Sequence, residues 1–429
     1  MKKSRLIISA VCFLFFYHNS FSTPNGNCGA SDSKRHHLSI VLTDTTLKTI
    51  SATPPMGWNS WNTFKQHPNE TDIKQIADQM VASGLKAAGY EYVNLDDYWS
   101  LGRDSIGKII INLQNYPHGM KAIADYIHSK GLKAGIYTNI GRKASYATLA
   151  STGYYQQDMD TFAAWGFDYV KVDVNFAPDR SETGLKKEFS AIAKAIANTG
   201  RPMVFSICNQ GDGIYADWAS GVGNLWRVGH DIDYISWTKP FQKTQWEGVI
   251  YEIDKSAAHP EIAGPGHWND ADMMLVGVTH GNKLTPLTDI EAKSHFSMWC
   301  MLASPLIMGN DIRDISKETL DILTNKEAIA IDQDADGVQG TMVDEQVRGL
   351  QVWLKRLKSG KNDNKYAVAL FNRSEMTNKI ILDFNKLGLK GKYQIRDVWT
   401  HKNIGKFSEN FSNEVPAHGV NLLIITSNQ

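Results

Sequence analysis

Eight short strand-like runs alternate with amphipathic helical stretches between about Pro54 and Asp311, and this repeat constrains the fold more than any other feature. The runs are 56–61, 92–97, 133–139, 168–175, 203–208, 225–231, 267–273 and 305–311. Stretches such as 72–88, 119–130, 155–165 and 181–198 repeat apolar residues at helical spacing. Strand–helix units repeated over roughly 250 residues predict an α/β fold of the (β/α)8 TIM barrel type. An open doubly wound sheet is the competing arrangement. Each run ends in polar residues: Asn59, Asp96 with Asp97, Asn139, Asp173, Cys208 with Asn209, Asp231, Asp272, and Asn310 with Asp311. In a barrel the C-terminal strand ends share one face, so these residues should line one funnel.

After about Gln339 the pattern changes. Runs 349–356, 365–371, 378–384, 393–398 and 420–426 are short, alternate apolar with polar residues, and are separated by Gly, Asn, Asp and Lys clusters. No helix-length amphipathic segment remains, which predicts a C-terminal antiparallel β-sandwich. The expected division is a barrel at 52–338 and a sandwich domain at 339–429. No low-complexity linker separates them, so the junction should be packed.

Residues 1–22 read as a signal peptide. Lys2, Lys3 and Arg5 precede an apolar run from Leu6 to Tyr17, and Ser20 and Ser22 supply small residues for cleavage. The run is far short of the ~20 residues a membrane span needs, so export to the periplasm or the extracellular medium is expected, with 23–51 as an N-terminal segment. No later segment could span a bilayer. Lys+Arg and Asp+Glu both total 45, a balance that gives no footprint for a phosphate backbone and disfavours nucleic acid as a partner. Cleavage would leave Cys28, Cys208 and Cys300, too few for a disulfide framework, and no CxxC pair suggests zinc. Oligomeric state is not legible.

Two strand-end aspartates carry the chemistry. Asp173 ends Asp168-Tyr-Val-Lys-Val-Asp173, and period-2 alternation points Lys171 to the same face, where its ammonium can hold the carboxylate ionised. Asp231 ends Trp226-Arg-Val-Gly-His-Asp231, two strands further round the same rim. Paired carboxylates are what glycosidic bond cleavage requires. A structural Lys–Asp pair beside a capping Asp is the blander reading, and the number of polar strand ends in register weighs against it. His267, Asp270 and Asp272 could be metal ligands, but two-carboxylate hydrolysis needs no metal or other cofactor, and none is expected.

The motifs Pro55-Met-Gly-Trp-Asn-Ser-Trp61, Leu95-Asp-Asp-Tyr-Trp99, Tyr169-Val-Lys-Val-Asp173 and Gly266-His-Trp-Asn-Asp-Ala-Asp-Met273 come in one order with further ones. These include Ala303-Ser-Pro-Leu306 and Val415-Pro-Ala-His-Gly-Val420. From about Pro54 to the C-terminus the chain resembles glycoside hydrolase family 27, the α-galactosidase / α-N-acetylgalactosaminidase family. The resemblance implies a retaining exo-glycosidase removing terminal α-D-galactose from oligo- or polysaccharides. Asp173 matches its nucleophile and Asp231 its general acid/base. Asp96 and Asp97 match the pair that grips the 4- and 6-hydroxyls, Lys171 and Arg227 the binders of the 3- and 2-hydroxyls. Trp58 matches the aromatic wall under the ring, and Tyr137 and Asp272 further pocket residues.

The chain departs from the family pattern in two ways. Lys65-Gln66 with Tyr98, and Ala144-Ser145 with Val174, stand where many relatives carry two disulfides, so these loops should be held by packing. After the fifth strand, Cys208-Asn-Gln-Gly211 replaces the usual motif around the 2-substituent, making Cys208 and Asn209 substrate-facing candidates. Nothing there resembles the small pair that admits an N-acetyl group. The alternatives are a β-L-arabinopyranosidase or α-N-acetylgalactosaminidase of the same family, or a catalytically silent sugar-binding protein.

Overall fold

The structure is a computed structural model that describes residues 50–141, 149–175, 177–209, 211, 218–233, 242–279, 284–360 and 363–428. Residues 1–22, expected to be a signal peptide, nearly all of 23–51, and Ala144-Ser145 lie outside the described residues. Eight parallel strands make one sheet whose spatial order follows the sequence. They are Met56–Asn59, Tyr92–Asn94, Lys133–Asn139, Tyr169–Asp173, Val204–Cys208, Leu225–Arg227, Trp268–Asp270 and Leu306–Met308. The first strand pairs with the eighth through Met56↔Leu306 and Trp58↔Met308, and a parallel bridge, Met274↔Met308, joins the segment after the seventh strand to the eighth. The sheet closes into the (β/α)8 barrel, and the open-sheet alternative is excluded.

Every expected run contains a strand, but pairing stops short of the polar ends: at Asn94 rather than Asp97, at Arg227 rather than Asp231, and at Asp270 rather than Met273. Beyond these points the backbone turns out of the ladder, and Tyr98 and Asp272 take the left-handed φ values of 69° and 75°. The funnel is thus built from loops seated on a rigid sheet. Helices Glu70–Ala82, Gly119–Ser129, Tyr155–Trp165 and Glu182–Asn198 follow the first four strands. Asn69 and Ser181 cap two of them, accepting from the amides of Asp72 and Gly184. The helix expected over 72–88 is broken because Gly84 takes φ 87°, ending one helix and starting the short Leu85–Ala88.

The C-terminal part is antiparallel throughout. Thr341–Val347, Leu350–Arg356, Asp363–Asn372, Val420–Asn428, Tyr393–Asp397 and Lys402–Phe407 form one sheet in that order, and Asn378–Asp383 pairs with Asn410–Val415 in a second. Val352, Leu370, Ile380, Leu382, Phe411 and Leu423 fill the core shared by the two sheets. Helix Asp289–Leu302, buried from Ser294 to its end, separates the sandwich from the barrel. Lys355 donates across this junction to the Cys300 carbonyl at 2.9 Å, and Trp399 Nε1 to Ser297 Oγ at 3.0 Å. Among the described residues no helix is long and apolar enough to cross a membrane.

Candidate active site

Barrel register stacks the inward side chains in two tiers. Tyr137, Lys171 and Ser206 are cross-strand neighbours in the lower tier, and Asn139, Asp173 and Cys208 stand one step nearer the mouth. Lys171 makes its ion pair with Asp96, Nζ to Oδ2 at 2.8 Å, and lies 5.7 Å from the Tyr137 ring centre. The sequence placed this ammonium against Asp173; instead it bonds the carboxylate that follows the second strand, two strands away, and reaches Asp173 through its field. Burial favours the neutral amine, but Asp96 and Asp173, with Cys208, hold the Lys171 pKa well above the ordinary lysine value.

Asp173 is buried and receives hydrogen bonds from Val174 N at 2.6 Å, Asn175 Nδ2 at 2.9 Å and Tyr137 OH at 3.1 Å. Burial pushes its pKa up to about 6; Lys171 opposes this, and the charge of Asp231 adds to it. Tyr137 is kept protonated by burial and by the carboxylates of Asp173, Asp97 and Asp96, so it acts as a donor. Asp96 also accepts from Asn59 Nδ2 at 2.8 Å, and its neighbour Asp97 is buried, with its Oδ1 taking the Tyr98 amide at 2.7 Å.

The second carboxylate is held differently. Asp231 has a side chain 40% exposed and accepts from Arg227 Nη1 at 3.1 Å. Arg227 is buried, pairs with Asp272 at 3.0 Å, and bonds the carbonyls of Gly229 and His230. Asp272 returns to the same loop, accepting the Ile232 amide at 2.8 Å. Burial raises the Asp272 pKa to about 6, against Arg227 and with help from Asp231 and Asp270. Arg227 and Asp272 therefore clamp the loop that carries Asp231. Among the described residues no three His, Cys, Asp or Glu converge as metal ligands; His267 stacks on Trp226, and Asp270 takes the Asp272 amide.

One expectation fails. Trp58 has no exposed surface and donates Nε1 to the Asn310 carbonyl at 2.8 Å, so it is enclosed core and cannot offer a face to a sugar. The aromatic at the rim is Trp61, partly exposed and stacked on Tyr98 at 6.4 Å. Its amide bonds Asn59 Oδ1, and Asn59 in turn bonds Asp96. The expected run 56–61 kept Trp61 inside the strand, and only the end of the ladder at Asn59 frees it to turn over the mouth. Cys208 and Asn209 are both buried at the end of the fifth strand. Burial, with Asp173, holds the Cys208 thiol well above its usual pKa, so it is a neutral wall residue 3.9 Å from Arg227 Nη1.

Glu252 was not foreseen. Its helix, Gln245–Ser256, brings a fully buried carboxyl so close beneath Gly229 that a Cβ there would come within 2.3 Å of both oxygens. Among the described residues neither oxygen has a hydrogen-bond partner, and burial pushes its pKa far up despite Arg227. Sequence gave no signal because only the fold brings the helix under the loop.

With this geometry in place, comparison with known proteins is specific. Residues 53–334 match the family model described as alpha galactosidase A, and 347–425 that of the alpha galactosidase C-terminal beta sandwich domain. The alpha-galactosidase A of Cellvibrio japonicus is 41% identical over 401 residues, 90% of this chain and 95% of its own. The alpha-galactosidase of Coffea arabica is 40% identical over 381 residues, 88% and 94% of the two chains. The crystal structure of alpha-galactosidase I from Mortierella vinacea superposes with a TM-score of 0.79 at 31% identity, covering 87% of this chain and 97% of that one.

Proposed function

Because the chain belongs to the alpha galactosidase A family, we propose that it is an exo-α-galactosidase that removes terminal α-D-galactose with retention, through a covalent glycosyl-aspartate. The observation that carries this reading is the asymmetry of the two aspartates. Asp173 is enclosed and fixed by three donors, as a nucleophile must be to attack one carbon in one direction. Asp231 is open and held by a single cation, as a group that shuttles a proton between leaving group and water must be.

In the first step Asp173 attacks the anomeric carbon while Asp231 protonates the departing oxygen. In the second Asp231 takes a proton from water as the water oxygen attacks the anomeric carbon, and the bond to Asp173 breaks, which releases galactose and frees the carboxylate. Tyr137 steadies the nucleophile's Oδ2 until the bond forms. Asp96, Asp97 and Lys171 grip the sugar hydroxyls, and Trp61 takes the role expected of Trp58, covering the apolar face of the ring. Arg227 is placed to meet the 2-hydroxyl between Cys208 and Asp231.

The test is a hydrolysis screen on α-galactoside, α-N-acetylgalactosaminide, β-L-arabinopyranoside and α-glucoside reporters. The α-galactoside should have the highest kcat/KM and should release the α-anomer first, by NMR. Faster cleavage of the arabinoside, or release of the β-anomer first, refutes the proposal. Turnover by Asp173→Ala at the wild-type rate removes the nucleophile assignment. Export through residues 1–22 belongs to the same proposal, and cell fractionation tests it.

A further inference from the structure

Lys65 crosses the mouth of the barrel to a residue next to Asp231. It follows the single-turn helix Trp61–Phe64 after the first strand, takes φ 49°, and donates its amide to the Trp61 carbonyl at 2.8 Å. Its ammonium meets Asp233 Oδ2 at 3.1 Å, lies 5.5 Å from the Trp61 ring centre, and reaches Asn62 Oδ1 at 3.4 Å. Asp233 is 7% exposed and stands two residues after Asp231. The strand before Lys65 is the first and the strand before Asp233 the sixth, so the ion pair joins loops from separate parts of the rim.

The geometry points to Lys65 as a positioning residue for the acid/base, an inference that rests on the role of Asp231 proposed above. Arg227 and Asp272 hold the loop from below, through the carbonyls of Gly229 and His230, the Asp231 carboxylate and the Ile232 amide. Asp231 has a side chain 40% exposed, and the chain runs on from it through Ile232, which is buried and whose carbonyl accepts from Gln242 Nε2 at 3.3 Å. Lys65 anchors that chain at the next residue but one. Its left-handed backbone, uncommon for a residue with a Cβ, is tolerated where the surroundings determine it, here by the stem turn, the Trp61 face and Asp233.

Misplacing a general acid harms substrates according to their leaving groups. A sugar alkoxide departs only with a proton, whereas nitrophenolate departs without one. Lys65→Met should therefore lower kcat/KM about 10-fold on a galactosyl-sugar and less than about 2-fold on nitrophenyl α-galactoside, a fraction of the 10²–10⁴ that general acid catalysis supplies. Lys65→Arg, which keeps the charge, should restore most of the loss. Asp233→Asn, close to isosteric, should give the same selectivity, and the double variant should be no worse than either single one. Asp231→Ala, measured alongside, fixes the size of the full effect. Equal losses on both substrates, or no loss on either, overturn the proposal while Asp231→Ala still discriminates. If Asp231→Ala itself shows no leaving-group dependence, the acid/base assignment fails and the positioning role falls with it. Should Lys65→Met not fold, Asp233→Asn carries the same comparison.

Discussion

The tryptophan of the first strand and the one just beyond its end separate a packing role from a binding role within four residues. Trp58→Phe removes the indole N–H that bonds the buried Asn310 carbonyl at 2.8 Å. An unpaired buried acceptor costs about 1–3 kcal/mol, and the smaller ring leaves a void worth about 1 kcal/mol more. With an unfolding entropy of roughly 2 cal/mol/K per residue, each kcal/mol moves the Tm of a chain this long by only about 1–1.5 °C. Trp58→Phe should thus lower the Tm by about 2–6 °C and leave kcat/KM within about twofold. Trp61→Ala removes a partly exposed ring stacked on Tyr98. Losing an aromatic contact of about 1.5–3 kcal/mol with the sugar should cut kcat/KM about 10- to 100-fold, with a smaller effect on Tm than Trp58→Phe. Thermal scans and nitrophenyl α-galactoside kinetics on both variants give the answer. A tenfold loss of kcat/KM in Trp58→Phe at unchanged Tm, or full activity in Trp61→Ala, would refute the placement of the aromatic wall.

Asp173→Asn should be inactive yet more stable at pH 7. The carboxyl's pKa is raised to about 6, so the native state binds the extra proton and stability declines as pH rises from about 4 to 6. Asparagine does not titrate, so its advantage over the wild type, up to about 3 kcal/mol for a carboxyl raised to about 6, should be full above pH 6 and gone near pH 4; a Tm difference independent of pH contradicts this. The same pKa places the acid limb of kcat/KM near 6, and Tyr137→Phe, which deletes a donor to the ionised form, should move that limb upward by about 0.5–1 unit in a pH–rate profile. Arg103 binds Asp158, which has no exposed surface, through both terminal guanidinium nitrogens and also bonds the Ala150 and Gly107 carbonyls. Arg103→Met should cost about 3–5 kcal/mol in urea unfolding; a loss below about 1 kcal/mol would show that the stranded carboxyl finds water.

The barrel was readable because its strands are short apolar runs closed by polar residues, a pattern set by burial on both faces. The sandwich was read only in part. Thr341–Val347 and Lys402–Phe407 lie at the two edges of the sheet with mostly exposed side chains, so they lack the alternation that marks a half-buried strand. In the site, the positions of Asp96, Asp97, Asp173 and Asp231 followed from strand ends, but their partners did not. Alternation correctly put Lys171 and Asp173 on one face, yet which carboxylate takes the ammonium depends on the spacing between strands. Trp58 was misread because a motif gives identity and order, while exposure depends on where the ladder stops. Glu252 and the Lys65–Asp233 pair join segments far apart in sequence, and nothing local announces them.

The charge balance of the site explains why so much carboxylate is tolerated there. Asp96, Asp97, Asp173, Asp270 and Asp272 are all buried around two cations, Lys171 and Arg227, with Asp231 at the rim. A neutral sugar gains little from an excess of negative charge in its ground state. The oxocarbenium-like transition state of glycoside cleavage carries positive charge at the anomeric centre, and preorganised negative groups in a water-poor funnel act on it at that moment. The cost is visible in the raised pKa values of Asp173 and Asp272, both near 6, which means that each carboxylate would be easier to fold protonated. Glu252 completes the logic from the other side. It is buried in the same field with no hydrogen-bond partner among the described residues, and its strongly raised pKa keeps it neutral, so it adds bulk beneath the Asp231 loop without adding charge. Glu252→Gln should then leave the pH–rate profile of kcat/KM where it is, whereas a charged Glu252 would make that substitution shift the profile downward by relieving Asp272 and Asp270, the carboxylates whose fields it shares. A pH–rate profile unchanged within about 0.2 unit supports the neutral acid, and a downward shift rejects it.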